Sequence, residues 1–153
     1  MNPSRTLAER FRTQRTDRIL LAGDEVLSLI EKRIDEPVEV EVLIESDRTD
    51  IEQALWLDVD ADGDSRIDAF RMGGFDEPVA TIRLEPGWLR IWNAWMIDEL
   101  ECAWTGNHGI IVETLPCPDG AISRMRLWCS DGLGDPSFDD LVAVVTFAIP
   151  AIA

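Results

Sequence analysis

The first 35 residues carry apolar side chains at the spacing of amphipathic helices. The apolar positions within 4–22 share one stripe, and arginines fall on the opposite face. After a break at Gly23, Asp24 is a good N-cap for a second helix over 25–35. We therefore expect residues 1–35 to form a helical segment, either as two helices or as one bent helix.

From residue 38 onward the pattern changes to the alternation of half-buried strands. In the first of these segments, valines alternate with glutamates, which predicts a strand with an acidic outer face. The last segment carries no charge and is rich in valine, which predicts a fully buried strand. Clusters of Gly, Pro, Asn and Asp separate the segments as turns. The predicted strands are 38–44, 54–59, 67–72, 79–84, 88–93, 97–104, 110–115, 121–129 and 141–149.

Residues 86–100 fit two patterns, since their tryptophans also fall at helical spacing after Pro86. We favour a strand there because the flanking segments are closely spaced hairpins. The fold class that follows is α+β. A single domain, 1–153, consists of the N-terminal helical segment packed on a mostly antiparallel β-sheet, and the β-rich body spans 38–149 as a meander of about eight strands.

An acidic loop over 58–68 is the strongest local signal. Five aspartates lie at even spacing within 11 residues: Asp58, Asp60, Asp62, Asp64 and Asp68. Hard cations such as Ca²⁺ take six to eight oxygen ligands, and Gly63 permits a sharp bend between them. The alternative is a solvated acidic hairpin loop between the strands 54–59 and 67–72.

The run Asp60-x-Asp62-Gly63-Asp64-x-x-x-Asp68 resembles the D-x-D-G-D-x-x-x-D calcium loop of FG-GAP repeats and is similar to EF-hand and dockerin loops. The resemblance covers this loop only. It implies a structural Ca²⁺ ion held by the side chains of Asp60, Asp62 and Asp64. It also implies that the backbone carbonyl of Arg66 is a ligand and that Asp68 closes the site. In a second register, the loop begins with Asp58 as a ligand.

Charge is distributed unevenly along the chain. There are 30 acidic and 14 basic residues, for a net charge of −16. Residues 36–153 hold seven basic and 24 acidic side chains, a net charge of −17. Such a body repels nucleic acid and anionic lipid surfaces, and it suits a basic protein partner or cations. Solubility alone is the simpler explanation of the same charge.

The chain has six tryptophans and no tyrosine. If residues 88–93 form a strand, Trp88, Arg90 and Trp92 share one face. On a solvent-facing sheet these three residues form a stacking strip for sugars or a contact patch for a protein partner. The alternative is that most of the tryptophans belong to the core.

The remaining reactive residue types predict no catalytic centre. His108 is the only histidine, which excludes sites built from several histidines. Cys102, Cys117 and Cys129 lack a close C-x-x-C pair, so we expect free thiols and no zinc site.

These observations lead to three hypotheses about function. The first is a non-enzymatic, acidic interaction module, an accessory, inhibitor or immunity-type protein of a bacterium or phage, with a basic protein partner and a structural Ca²⁺ loop. The second is a self-assembling subunit of a virion or other particle. The third is a carbohydrate-binding protein or a carboxylate-using enzyme. With no secretory signal and no apolar run that spans a bilayer, we expect a cytoplasmic location, or a virion for the second hypothesis.

Overall fold

The computed structural model describes residues 5–63, 67–73 and 78–150. These residues form mostly antiparallel strands and a short helix. The helix is α1, Leu7–Gln14. The strands are β1 (Arg18–Leu21), β2 (Asp24–Leu27), β3 (Ile30–Ile34), β4 (Val38–Asp47), β5 (Gln53–Ala61), β6 (Ile67–Gly73), β7 (Val79–Leu84), β8 (Gly87–Ile97), β9 (Leu100–Cys102), β10 (Gly109–Thr114), β11 (Ala121–Ser130) and β12 (Leu141–Ala148).

The strands form two sheets, and every pairing is antiparallel. The large sheet has seven strands in the order β1-β2-β10-β11-β12-β4-β7. The small sheet has the order β3-β8-β5-β6, with β9 also paired to β8. Strand β8 pairs with β5 along one edge, while β3 and β9 pair with its two ends.

The core lies between the two sheets. Leu57 and Leu89 of the small sheet and Val42 and Phe147 of the large sheet are all at most 1% exposed and belong to one apolar cluster. Each such side chain contributes about 1.5–3 kcal/mol on burial. Strand β12 lies between β11 and β4 and is buried along most of its length, which confirms the prediction of a buried strand.

The predicted N-terminal helical segment is wrong beyond Gln14. Helix α1 begins at the N-cap Thr6, whose Oγ1 accepts a 3.2 Å hydrogen bond from the Glu9 N–H. It ends at Arg15, which adopts the left-handed conformation. The following residues form β1, β2 and β3 instead of a second helix over 25–35.

A tight turn explains why residues 18–27 form a hairpin. Ala22 and Gly23 both have positive φ, 50° and 90°, as in the two-residue turns that match the twist of paired strands. Ile19 pairs with Val26, and both are buried against α1, whereas Leu20 is 70% exposed. Short apolar runs fit a period of 3.6 or of 2, and pairing with the rest of the sheet selects the period of 2.

The strand predictions beyond residue 38 are confirmed with adjusted ends. Within the ambiguous segment 86–100, the strand prediction is confirmed, since β8 spans Gly87–Ile97. The predicted strand 97–104 shortens to β9 because Asp98 and Glu99, both with positive φ, form a two-residue turn. The fold is therefore a mostly antiparallel β fold of two sheets with a short helix, and its described residues hold twelve strands rather than about eight. Within these residues, no helix has the length and apolar character needed to cross a membrane.

Candidate functional site

The outer face of the small sheet displays aromatic and charged side chains in rows. Leu89 and Ile91 of β8 point into the core and are fully buried, so the alternate residues of β8 face outward. The antiparallel register with β5 places each of them beside a defined partner. The rows are Trp88 with Asp60, Arg90 with Asp58, and Trp92 with Trp56.

Three side chains form what we call the tryptophan cluster: Trp56, Trp92 and Trp104. The rings of Trp56 and Trp92 lie 6.0 Å apart between centroids, with planes within 5° of parallel. Trp104, from the loop after β9, lies 5.3 Å from Trp92 at an angle of 33°. Its indole N–H donates a 2.9 Å hydrogen bond to the Ser28 carbonyl. All three rings remain partly exposed, so an apolar ligand can contact them.

A fixed carboxylate lies beside the cluster. The Oε1 atom of Glu101 accepts a 3.0 Å hydrogen bond from Trp56 Nε1 and a 2.8 Å bond from Arg71 Nε. Arg71 also lies 3.7 Å from Glu52. A cavity of about 310 Å³ adjoins these groups. It is lined by Trp56, Ala69, Trp92, Ala94, Glu101, Cys102 and Ala103. The arrangement offers flat apolar surface together with a hydrogen-bonding group held in place by two donors.

The predicted strip of Trp88, Arg90 and Trp92 does share one face of the sheet, but its members do not form one site. Trp88 and Trp92 are four residues apart on a strand, which corresponds to about 13 Å. Trp88 is 48% exposed and has the Arg33 guanidinium 6.0 Å from its ring. The aromatic neighbours of Trp92 are instead Trp56 and Trp104, which the sequence analysis did not assign to a site. Alternation in 54–59 places Trp56 on the outer face, but its pairing with Trp92 depends on the register.

Arg90 is placed opposite Asp58. Burial raises the pKa of Asp58, and the neighbouring charge of Asp60 adds to this, while Arg90 acts in the opposite direction.

The described aspartates of the acidic loop do not converge on one point. Asp58 and Asp60 project from the outer face of the small sheet. Asp68 is paired with the inward-facing Val59, so it lies on the opposite face of the sheet. Both carboxylate oxygens of Asp62 accept hydrogen bonds from Arg33, one of them at 2.8 Å, and this pairing lowers the pKa of Asp62.

Two predicted calcium ligands, Asp64 and Arg66, lie outside the described residues. In the described ranges, no group of three or more His, Cys, Asp or Glu side chains is arranged to hold a metal ion. The general label of a calcium-binding protein is therefore unsupported, and an ion at this loop stays a prediction from the resemblance alone.

The cysteines and the histidine lie in different surroundings. Cys129 is buried on β11, Cys117 is exposed, Cys102 is half-buried beside the tryptophan cluster, and all three are free thiols. His108 is 1% exposed and lies against Trp95 and Trp104. Burial lowers the pKa of His108 to about 3, opposed by the nearby Ser28 carbonyl, so the imidazole is neutral at physiological pH.

A second polar network lies at the end of β11, where the fully buried Asp131 meets Arg48. Arg48 Nη1 donates to Asp131 Oδ2 at 3.0 Å, and Gln53 Nε2 donates to the same oxygen at 2.9 Å. The Leu133 N–H donates to Oδ1 at 3.0 Å. The Asp131 N–H in turn donates to Asp140 Oδ2 at 3.0 Å. Arg48 is the ion-pair partner of this buried carboxylate, so the network serves the fold rather than an open site.

Comparison with known proteins finds likeness in structure and none in sequence. No family model matches this chain, and no curated protein matches it. Its structure is similar to the Chromobacterium violaceum lectin CV2L, solved in complex with alpha-methyl-fucoside, with a TM-score of 0.47 and 12% identity over 80% of this chain and 97% of that one. It is also similar to the C-terminal domain of the lectin BC2L-C from Burkholderia cenocepacia, with a TM-score of 0.43 and 13% identity over 79% and 100%.

Both of these proteins are lectins, which corrects our first hypothesis. The comparison contradicts the acidic protein-interaction module and its basic protein partner, and it does not test self-assembly. At these TM-scores the likeness itself carries no argument about the ligand of this chain, so the case for a ligand rests on its own side chains.

Proposed function

We propose that this protein binds a carbohydrate on the outer face of the small sheet, at the tryptophan cluster. The observation that carries this proposal is the parallel pair of Trp56 and Trp92 beside Glu101, a carboxylate that two donors hold in position.

The surface of a sugar matches such a site. One face of a pyranose ring presents C–H groups, which pack on aromatic rings, and its edge presents hydroxyls, which bind to carboxylates. Oε1 of Glu101 already accepts two hydrogen bonds, so we assign Oε2 as the acceptor for a sugar hydroxyl. Because Arg71 and Trp56 fix this side chain, little conformational freedom is lost on binding. The cavity of about 310 Å³ suits a single ring.

The net charge of the protein indicates whether the site binds neutral or anionic sugars. A net charge of −16 repels sialylated, sulfated or uronic saccharides. Arg71, which binds the cavity-lining Glu101, is already engaged by Glu101 and Glu52. The site is therefore built for neutral sugars.

Tryptophan fluorescence tests this proposal directly. The protein is titrated with the methyl glycosides of fucose, mannose, galactose, glucose and N-acetylglucosamine. We expect a saturable shift with at least one of them. Trp92→Ala should weaken binding at least tenfold, since a ring contact is worth on the order of 1.4 kcal/mol.

Two further variants control the experiment. Trp88→Ala removes an exposed ring from the same strand outside the cluster and should leave the affinity unchanged. Glu101→Gln keeps the shape of the side chain and should weaken binding without lowering the melting temperature. If no saccharide shifts the fluorescence, or if Trp88→Ala and Trp92→Ala weaken binding equally, the proposal is wrong.

A further inference from the structure

A second and larger cavity lies between helix α1 and the loop that follows β9. Its volume is about 680 Å³, within the range of small-molecule sites. Phe11 of the helix and Trp104 of the loop provide aromatic surface. The cavity is lined by Ala8, Phe11, Arg12, Arg15, Thr16, Asp17, Ser28, Trp104 and His108.

Positive charge gathers at this cavity on an otherwise acidic protein. Arg12 and Arg15 are both exposed and make no ion pair with any residue in the described ranges. The carboxylate of Asp17 lies 3.6 Å from Arg18 and is thereby partly neutralised. The cavity rim therefore attracts an anion, whereas the net charge of −16 repels anions elsewhere.

A buried, neutral histidine lines the same cavity. The Trp104 N–H donates a 2.6 Å hydrogen bond to Nδ1 of His108. A neutral imidazole that accepts at Nδ1 carries its proton on Nε2. That Nε2 atom has no surface exposed to the cavity, and the Ser28 carbonyl lies near the imidazole. A ligand in the cavity therefore does not reach it, and the preference of the cavity for an anion comes from Arg12 and Arg15.

We propose that this cavity binds a small aromatic carboxylate, distinct from the carbohydrate of the tryptophan cluster. The aromatic body of the ligand packs between Phe11 and Trp104. Its carboxylate is attracted by Arg12 and Arg15 at the rim. The proposal goes beyond carbohydrate binding and does not depend on it.

Calorimetry at low ionic strength tests the proposal with three probes of similar shape. The probes are the anionic 2-naphthoate, the neutral 2-naphthamide and the cationic 2-naphthylmethylammonium. We expect 2-naphthoate to bind at least fivefold more tightly than the amide, and the cation to bind most weakly. A fivefold factor is roughly what two exposed charge contacts supply together.

Two double variants separate local contact from net charge. Arg12→Ala/Arg15→Ala should weaken 2-naphthoate binding at least fivefold. Arg83→Ala/Arg124→Ala removes the same total charge from the large sheet and should leave the affinity unchanged. Arg15→Gly offers a check on folding. Glycine relieves the positive φ of 51° at this residue, so the melting temperature should not fall while 2-naphthoate binding does.

Three results would overturn the proposal: no binding of 2-naphthoate at millimolar concentration, equal affinity for the acid and the amide, or equal losses in the two double variants. Saccharide titrations of the same samples distinguish a failure of this proposal from a failure of the carbohydrate proposal. The arginine variants should leave sugar binding unchanged.

Discussion

The ion pair of Arg48 with the buried Asp131 allows a sharp prediction about stability. We consider Arg48→Met, which keeps the aliphatic length of the side chain and removes its charge. Asp131 is 0% exposed, so it cannot regain its solvation from water when the guanidinium is lost. Removing one partner of a buried pair costs about 3–5 kcal/mol. Because Arg48 itself is 29% exposed, we expect the lower end, about 3 kcal/mol.

Thermal and urea unfolding measure this loss. For a chain of this size, 1 kcal/mol corresponds to roughly 2–4 °C in Tm, so Arg48→Met should lower Tm by roughly 6–12 °C. Arg83→Met is the matched control, since the Arg83–Glu85 pair lies at 3.4 Å with both side chains about 60% exposed. Exposed pairs contribute about 0–1 kcal/mol, and this control should hardly change Tm.

A second substitution tests the cause of the loss. Asp131→Asn removes the uncompensated charge, so the double variant Arg48→Met/Asp131→Asn should recover about half of the lost stability. Gln53 can accommodate the new amide, because its buried Oε1 has no partner in the described structure and can accept a hydrogen bond after a flip of the amide. Equal losses from Arg48→Met and Arg83→Met, or a double variant less stable than Arg48→Met alone, would show that Arg48 does not stabilise the buried Asp131 charge.

Three further predictions concern stability. Burial, together with the neighbouring Asp131, raises the pKa of Asp140 to about 6. The stability supplied by its protonated form is therefore present below about pH 4 and lost as pH rises through 6. In urea unfolding, we expect Asp140→Asn to be more stable than the parent by about 1–2 kcal/mol at pH 7.5 and equally stable at pH 4. Gly87→Ala should lower Tm by several degrees, because a Cβ there would lie 2.2 Å from the Asp60 carbonyl oxygen; an unchanged Tm would contradict the close approach of β5 and β8. Ala22→Asn should raise Tm by about 2–4 °C, because asparagine tolerates the φ of 50° in this turn; a lower Tm would contradict the hairpin.

The sequence predicts the β-rich body well because its strands carry their own signals. Val38, Val40 and Val42 alternate with glutamates, and β12 is continuously apolar, so burial on one face or on both could be inferred locally. The segment over 18–34 was predicted as helix because its apolar runs are too short to separate the two periods. Its strand conformation depends on pairing with β8 and β10, which are distant in the chain.

The candidate site could be predicted only in part, for a similar reason. The positions of Trp88, Arg90 and Trp92 on one face follow from alternation alone. The neighbours of Trp92 do not, because β5 and β8 pair across two intervening strands. Likewise, the pairing of Asp62 with Arg33, 29 residues away, could not be read from the acidic loop.

The most direct test of the carbohydrate site is the NMR spectrum of the six tryptophan indole N–H groups during a saccharide titration. We expect the signals of Trp56, whose N–H donates to Glu101, and of Trp92 to shift together and saturate. The signals of the buried Trp95 and of the exposed Trp88 should stay in place. Shifts confined to Trp88, or no shift with any neutral saccharide that binds, would contradict a sugar site at the tryptophan cluster.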